Sequence, residues 1–118
     1  MDYSVPTLAL VVEDDQFQRD VLVSALKGEN IDVVQCESAE AAELVVAMIG
    51  TELQLVVIDG WLAGECVGGE LAAFAKQKFP HLMVVLVSGD EELPLPRHIR
   101  FLRKPYRPED VLRVARPL

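Results

Sequence analysis

Apolar runs of strand length alternate along the chain with segments of helical period. The apolar runs predict five strands, at residues 7–12, 31–35, 53–58, 82–87 and 99–103. Three of these runs are almost entirely apolar, which is typical of strands that are covered on both faces of a parallel sheet. The pattern therefore predicts an α/β fold of three layers, with a five-stranded parallel sheet between helices.

Apolar stripes at helical spacing separate the first four strands, and each is expected to pack on the sheet. The stripes comprise Phe17, Val21, Ala25 and Leu26, then Leu44, Val45 and Met48, and finally Leu71, Phe74, Ala75 and Phe79. Ser38 is expected to cap the second helix and Gly50 to end it, whereas Pro80 should end the third. Asp15 is interpreted as a residue of the first helix N-terminus, favoured there by the helix dipole.

Polar side chains follow four of the predicted strands directly. They are Glu13 and Asp14 after the first, Asp59 after the third, Ser88 after the fourth and Lys104 after the fifth. Right-handed crossovers bring the C-terminal ends of parallel strands to one edge, where ligands of such sheets bind. Three carboxylates without His or Cys favour Mg²⁺ over zinc, and a lysine beside a hydroxyl suits a phosphoryl group. The sequence thus predicts a site for Mg²⁺ and a phosphoryl group.

Composition and charge narrow the class of protein. The 118 residues fit one domain, 1–118, and the absence of a long apolar run or a signal-peptide pattern predicts a cytoplasmic protein that does not engage a membrane. A formal net charge of −8 argues against a nucleic-acid surface on this chain. Cys36 and Cys66 have neither CxxC nor zinc spacing, so reduced, structural thiols are expected.

The polar positions resemble the motifs of the receiver domain of two-component response regulators, and the resemblance covers nearly the whole chain. The matching segments are LVVEDD, LVVIDGWLAGECVGGELA, VVLVSG and FLRKPY. The resemblance implies a flavodoxin-like, chemotaxis-regulator-like sheet in the order 2-1-3-4-5. It also implies that Asp59 is the phosphoacceptor and that Ser88 and Lys104 contact the phosphoryl oxygens. Glu13, Asp14, Asp59 and the backbone carbonyl of Trp61 would bind Mg²⁺.

Further roles follow from the same resemblance. Ser88 and Phe101 would form the switch, Trp61 and Asp90 would tune dephosphorylation, and the Lys104–Pro105 bond should be cis. The donor would be a histidine kinase or a histidine phosphotransfer protein. Catalysis would be limited to self-phosphorylation and autodephosphorylation, so the chain is not expected to be an enzyme in the ordinary sense. It should be a monomer or a weak homodimer.

The chain departs from the family pattern in its loops. Ala63 stands where many receivers have proline, and Gly68 and Gly69 come about three positions late. Pro94 and Pro96 lie in a short segment, 89–98, where the fourth helix of the family would normally form. Because proline disrupts a helix, that helix is expected to be shortened or missing, with a loop or at most one turn in its place.

Two alternatives from other classes remain. One is a pseudo-receiver that binds partner proteins without being phosphorylated, although the complete set of polar residues argues against it. The other is a magnesium-dependent phosphohydrolase, in which a second aspartate two positions after the nucleophile commonly acts as the acid–base. Residue 61 is tryptophan, which argues against that enzyme.

Overall fold

The computed structural model describes residues 8–65, 67–89 and 97–115, which fold into an α/β sandwich of three layers. Its strands are β1 (Leu8–Val12), β2 (Asp32–Cys36), β3 (Leu55–Asp59), β4 (Met83–Ser88) and β5 (Arg100–Arg103). Its helices are α1 (Gln16–Gly28), α2 (Ala39–Ile49), α3 (Gly68–Lys78) and α4 (Pro108–Ala115). The predicted alternation of strands and helices is confirmed for this part of the chain.

The five strands form one parallel sheet in the order β2-β1-β3-β4-β5, as the resemblance implied. Every ladder between neighbouring strands is parallel, so all C-terminal ends lie along one edge. The observed strands begin one or two residues later than predicted, and β2, β3 and β4 also end one residue later. Asp59 and Ser88 are consequently the last residues of β3 and β4 rather than the first residues beyond them.

In the part of the chain that the structure describes, two helices cover each face of the sheet. Side chains of α1 and α4 share one buried cluster with Ala9, Val11 and Val57. Side chains of α2 and α3 share the other with Leu10, Val12 and other strand residues. Because residues of one strand alternate between the two clusters, burial of both faces explains why the strands are nearly continuous apolar runs.

The predicted inward faces of α1 and α2 were wrong in part. Phe17 and Val21 are exposed on α1, whose buried residues are Leu22, Val23 and Leu26. Leu44 and Met48 are likewise exposed on α2, which buries Ala42 and Val46 instead. The helix α2 packs against α3 and lies over β1 and β2, and this position decides which of its residues are buried. The stripe of α3 is confirmed, because Leu71 and Ala75 are buried and the two phenylalanines pack against the same cluster.

Helix ends follow the predicted chemistry. The Asp15 carboxylate accepts a hydrogen bond from the Gln18 N–H at 2.9 Å, which caps α1. Ser38 Oγ accepts one from the Ala41 N–H at 3.1 Å, and Gly50 is the C-terminal cap of α2. The residue after α3 is Phe79, directly before proline. These contacts satisfy donors and acceptors that a helix leaves free at its ends.

Several expectations concern residues that the structure does not describe. The predicted loop between β4 and β5 lies mostly in 90–96, outside the described residues, as do Asp90 and Cys66. Gly89 forms a bend, and Arg97 and His98 form a turn on the other side of that segment. Among the described helices, none is both long and apolar enough to span a bilayer.

Candidate functional site

Three carboxylates meet at the C-terminal edge of the sheet. Glu13 directly follows β1 and Asp59 ends β3, and both side chains are buried, whereas Asp14 is exposed. One carboxylate oxygen from each residue lies within 4.8 Å of those of the other two. Oxygen ligands at this spacing, without nitrogen or sulfur, fit a hard cation such as Mg²⁺. The residues that could hold a metal are therefore the ones the sequence singled out.

Lys104 reaches the same cluster from β5. Its Nζ lies 2.8 Å from Asp59 Oδ2 and 3.8 Å from Glu13 Oε1. Its backbone N–H donates to the Ser88 carbonyl at 2.9 Å, and the Lys104–Pro105 peptide bond is cis, as predicted. Burial tends to lower the pKa of the lysine, but the hydrogen bond to Asp59 and its negative charge outweigh this and raise the pKa. The site thus places the lysine ammonium group beside two buried acids.

The Glu13 carboxyl is less readily ionised because it is buried beside Asp59. Burial, followed by the hydrogen bond to and the charge of Asp59, raises the pKa of Glu13 to about 8. The backbone around this residue is well anchored, because its N–H donates to the Cys36 carbonyl and its carbonyl accepts from Arg19. A divalent cation among the three carboxylates would offset the cost of holding this charge out of water.

The loop after β3 contacts both aspartates through its backbone. The Trp61 N–H donates to Asp59 Oδ1 at 3.0 Å, and the Ala63 N–H donates to Asp14 Oδ2 at 2.9 Å. Slight burial of Asp14 acts to raise its pKa, but its hydrogen bonds together, led by the one from the Ala63 N–H, outweigh burial and lower the pKa. Each aspartate therefore has one oxygen held by the loop. The Trp61 side chain is 42% exposed at the start of this loop.

The predicted switch residues lie on the neighbouring strands. Ser88 is buried at the end of β4, one position beyond Val87, which pairs with Asp59 in the β3–β4 ladder. Phe101 is half-buried on β5 and packs against the cluster that α2 and α3 cover. Its ladder partner on β4 is Leu86, two residues before the serine. The register places the serine at the strand end next to that of Asp59 and the phenylalanine one strand farther out.

Tyr106 is a residue of the site that the sequence did not single out. It lines a small cavity together with Glu13 and Asp59, and it also lines an apolar groove of about 440 Å³ against Phe17 and Val21. Burial, and then the charges of the two acids, raise the pKa of its hydroxyl to about 12, so it stays neutral. The available signal in the sequence was its place directly after Lys104-Pro105.

The chain is similar to known proteins in its three-dimensional structure, as the solved structures below show. No protein-family model matches the chain, and no curated protein sequence matches it either. Among solved structures, NtrX from Brucella abortus is 25% identical over 94% of this chain with a TM-score of 0.73, and the chain spans 26% of its length. A response regulator receiver domain protein from Clostridium thermocellum is 17% identical with a TM-score of 0.82, and the match covers 92% of this chain and 90% of that one.

A third similar structure is the signal receiver domain of an HD domain-containing protein from Pseudomonas fluorescens Pf-5. It is 23% identical with a TM-score of 0.78, over 92% of this chain and 90% of that one. The sheet order, the acidic cluster and these likenesses agree with one another. The chain therefore has the fold of the receiver domain of two-component response regulators.

Proposed function

We propose that this domain is a magnesium-dependent phospho-receiver in which Asp59 accepts a phosphoryl group. The observation that carries the proposal is the setting of this carboxylate at the end of β3. Lys104 Nζ lies 2.8 Å from it, and the carboxylates of Glu13 and Asp14 lie beside it. Phosphoryl transfer to a carboxylate needs a nucleophile, a cation that pairs with the transferred group, and a metal site with oxygen ligands.

The proposed reaction is attack by an Asp59 oxygen on the phosphorus of the donor. The bond from phosphorus to the donor nitrogen breaks, its electron pair stays on that nitrogen, and an acyl phosphate forms. Mg²⁺, held by Glu13, Asp14, Asp59 and the Trp61 carbonyl, would offset negative charge during the transfer. Lys104 exchanges its pairing with the carboxylate for pairing with the new phosphoryl oxygens, and the Ser88 hydroxyl donates a hydrogen bond to them.

The pull of the phosphoryl group on Ser88 and Lys104 is the proposed signal. Ser88 ends β4, and Lys104 directly follows β5, the strand at one edge of the sheet. The backbone N–H of the lysine donates to the serine carbonyl. Movement of the serine would favour an inward position of Phe101 and change the surface near β5. The proposed donor is the phosphohistidine of a kinase or phosphotransfer protein, and hydrolysis of the acyl phosphate ends the signal.

Intact mass spectrometry after incubation with Mg²⁺ and acetyl phosphate tests this function. The wild type should gain one phosphoryl group that hydroxylamine removes, and Asp59→Asn should gain none while remaining folded. A gain of equal size in the mutant would place the acceptor elsewhere. Absence of the adduct with acetyl phosphate, phosphoramidate and a phosphohistidine donor would favour the pseudo-receiver. Continuous turnover of free phosphomonoesters would favour the phosphohydrolase.

A further inference from the structure

The loop that follows β3 contains a tight turn of an unusual kind. Leu62 and Glu65 exchange two backbone hydrogen bonds, of 2.9 and 3.0 Å, and enclose only Ala63 and Gly64. The φ angles of these two central residues are +54° and +76°. A two-residue turn with positive φ at both central positions is of the I′ kind, for which Asn-Gly and Gly-Gly are the preferred sequences.

Alanine is an unfavourable residue at the first central position of this turn. Its Cβ disfavours the left-handed region, which glycine, and to a lesser extent asparagine, adopts at little cost. Ala63 is exposed, so burial of its methyl group does not account for the conformation. The contact that does account for it is made by the backbone, because the Ala63 N–H donates to Asp14 Oδ2 at 2.9 Å. A bond from an N–H to a carboxylate is stronger than a neutral one.

The same loop segment is bound to the second aspartate two residues earlier, where the Trp61 N–H donates to Asp59 Oδ1. The turn therefore lies between a bond to one carboxylate and a bond to another. Because each bond holds one oxygen, the orientation of both carboxylates depends on the path of residues 61–63. A proline at position 63 could not make this arrangement, since it has no N–H and its φ is fixed near −65°.

We propose that Ala63 is a positioning residue of the metal site: the turn of residues 62–65 directs its N–H to one oxygen of Asp14 and so fixes the plane of that carboxylate relative to Glu13 and Asp59. The inference rests on the metal site of the proposed function and adds a residue to it. It also gives a role to the alanine that stands at position 63 in place of the usual proline: its N–H lets the loop bind the acidic cluster directly. A carboxylate that is already oriented loses less freedom when a cation binds.

Two substitutions at this exposed position separate the turn from the rest of the fold. Ala63→Gly keeps the N–H and favours a positive φ, whereas Ala63→Val keeps the N–H but makes a positive φ very unfavourable. We expect Mg²⁺ affinity, measured by titration of Trp61 fluorescence, to fall on the order of fivefold in the valine variant. The glycine variant should stay within about twofold of wild type.

Hydrogen exchange of the metal-free protein tests the contact itself. The position-63 amide should be protected about tenfold or more in the wild type and in Ala63→Gly, and it should lose protection in Ala63→Val and Asp14→Ala. An unprotected amide in the wild type, or wild-type Mg²⁺ affinity in the valine variant, would overturn the inference. Failure of Asp59 to take up phosphate, with these two results intact, would overturn the proposed function alone. No Mg²⁺ binding by the wild type would overturn both.

Discussion

Replacing Gly68 with alanine should destabilise the domain, because the start of α3 lies directly against the backbone after β3. A Cβ added at this glycine would stand 2.3 Å from the Asp59 carbonyl oxygen and 2.6 Å from the Gly60 Cα. The Gly68 N–H also donates to the Gly60 carbonyl at 3.1 Å. Both obstructing atoms belong to the backbone, so no side-chain rotation can relieve the contact.

The magnitude follows from the size of this overlap. The start of the helix would have to withdraw by roughly 1 Å to restore ordinary contact distances. Overpacking of this kind costs about 1–3 kcal/mol, and the better helix propensity of alanine returns up to about 1 kcal/mol. We expect a net loss of about 1–2 kcal/mol in the free energy of unfolding, or roughly 4–10 °C in melting temperature.

Urea and thermal unfolding followed by far-UV circular dichroism would measure the effect in the absence of Mg²⁺. Gly28→Ala is the matched control, because Gly28 ends α1 and an added Cβ there meets no atom within 4 Å. The control should gain roughly 0.5–1 kcal/mol. Wild-type or higher stability in Gly68→Ala would refute the reasoning. Since Asp59 moves with its carbonyl, the alanine variant should also be phosphorylated more slowly.

Four further predictions concern the acidic site. Asp59→Asn should keep or raise the stability of the metal-free protein, because it removes a buried negative charge that disfavours ionisation of Glu13; a clear loss in urea unfolding would contradict this. Mg²⁺ at 100 times its dissociation constant should stabilise the wild type by about 2.7 kcal/mol, and Asp14→Ala should erase the shift. An equal shift in both proteins would exclude the proposed metal site. Trp61→Ala should shorten the acyl phosphate lifetime if the indole limits access of water, and an unchanged rate of phosphate release would show that it does not. Without metal, the folded protein, with its Glu13 pKa of about 8, retains a proton that the unfolded chain releases. The free energy of unfolding of the wild type, measured relative to that of Glu13→Gln, should therefore fall as the pH rises from about 5 to 8, by at most about 1.4 kcal/mol per pH unit. Parallel stability curves for the two proteins would argue against that pKa.

The sequence alone determined the order of the elements and the edge of the sheet where the polar residues meet. Continuous apolar strands need cover on both faces, and parallel strands end on one side, so Glu13, Asp59 and Lys104 could be placed together without coordinates. The caps at Asp15 and Ser38 were also predictable, because they depend on local hydrogen bonds.

Only the tertiary structure decided which helix faces are buried and how the loop after β3 runs. Phe17 and Met48 fit an apolar stripe, yet burial depends on where each helix lies over the sheet, and period alone does not give that position. The bond from Ala63 to Asp14 spans 49 residues, and the close approach of Gly68 to Asp59 joins a helix start to a strand end. Such contacts depend on distances between elements that are far apart in sequence, so no local pattern in the chain specifies them.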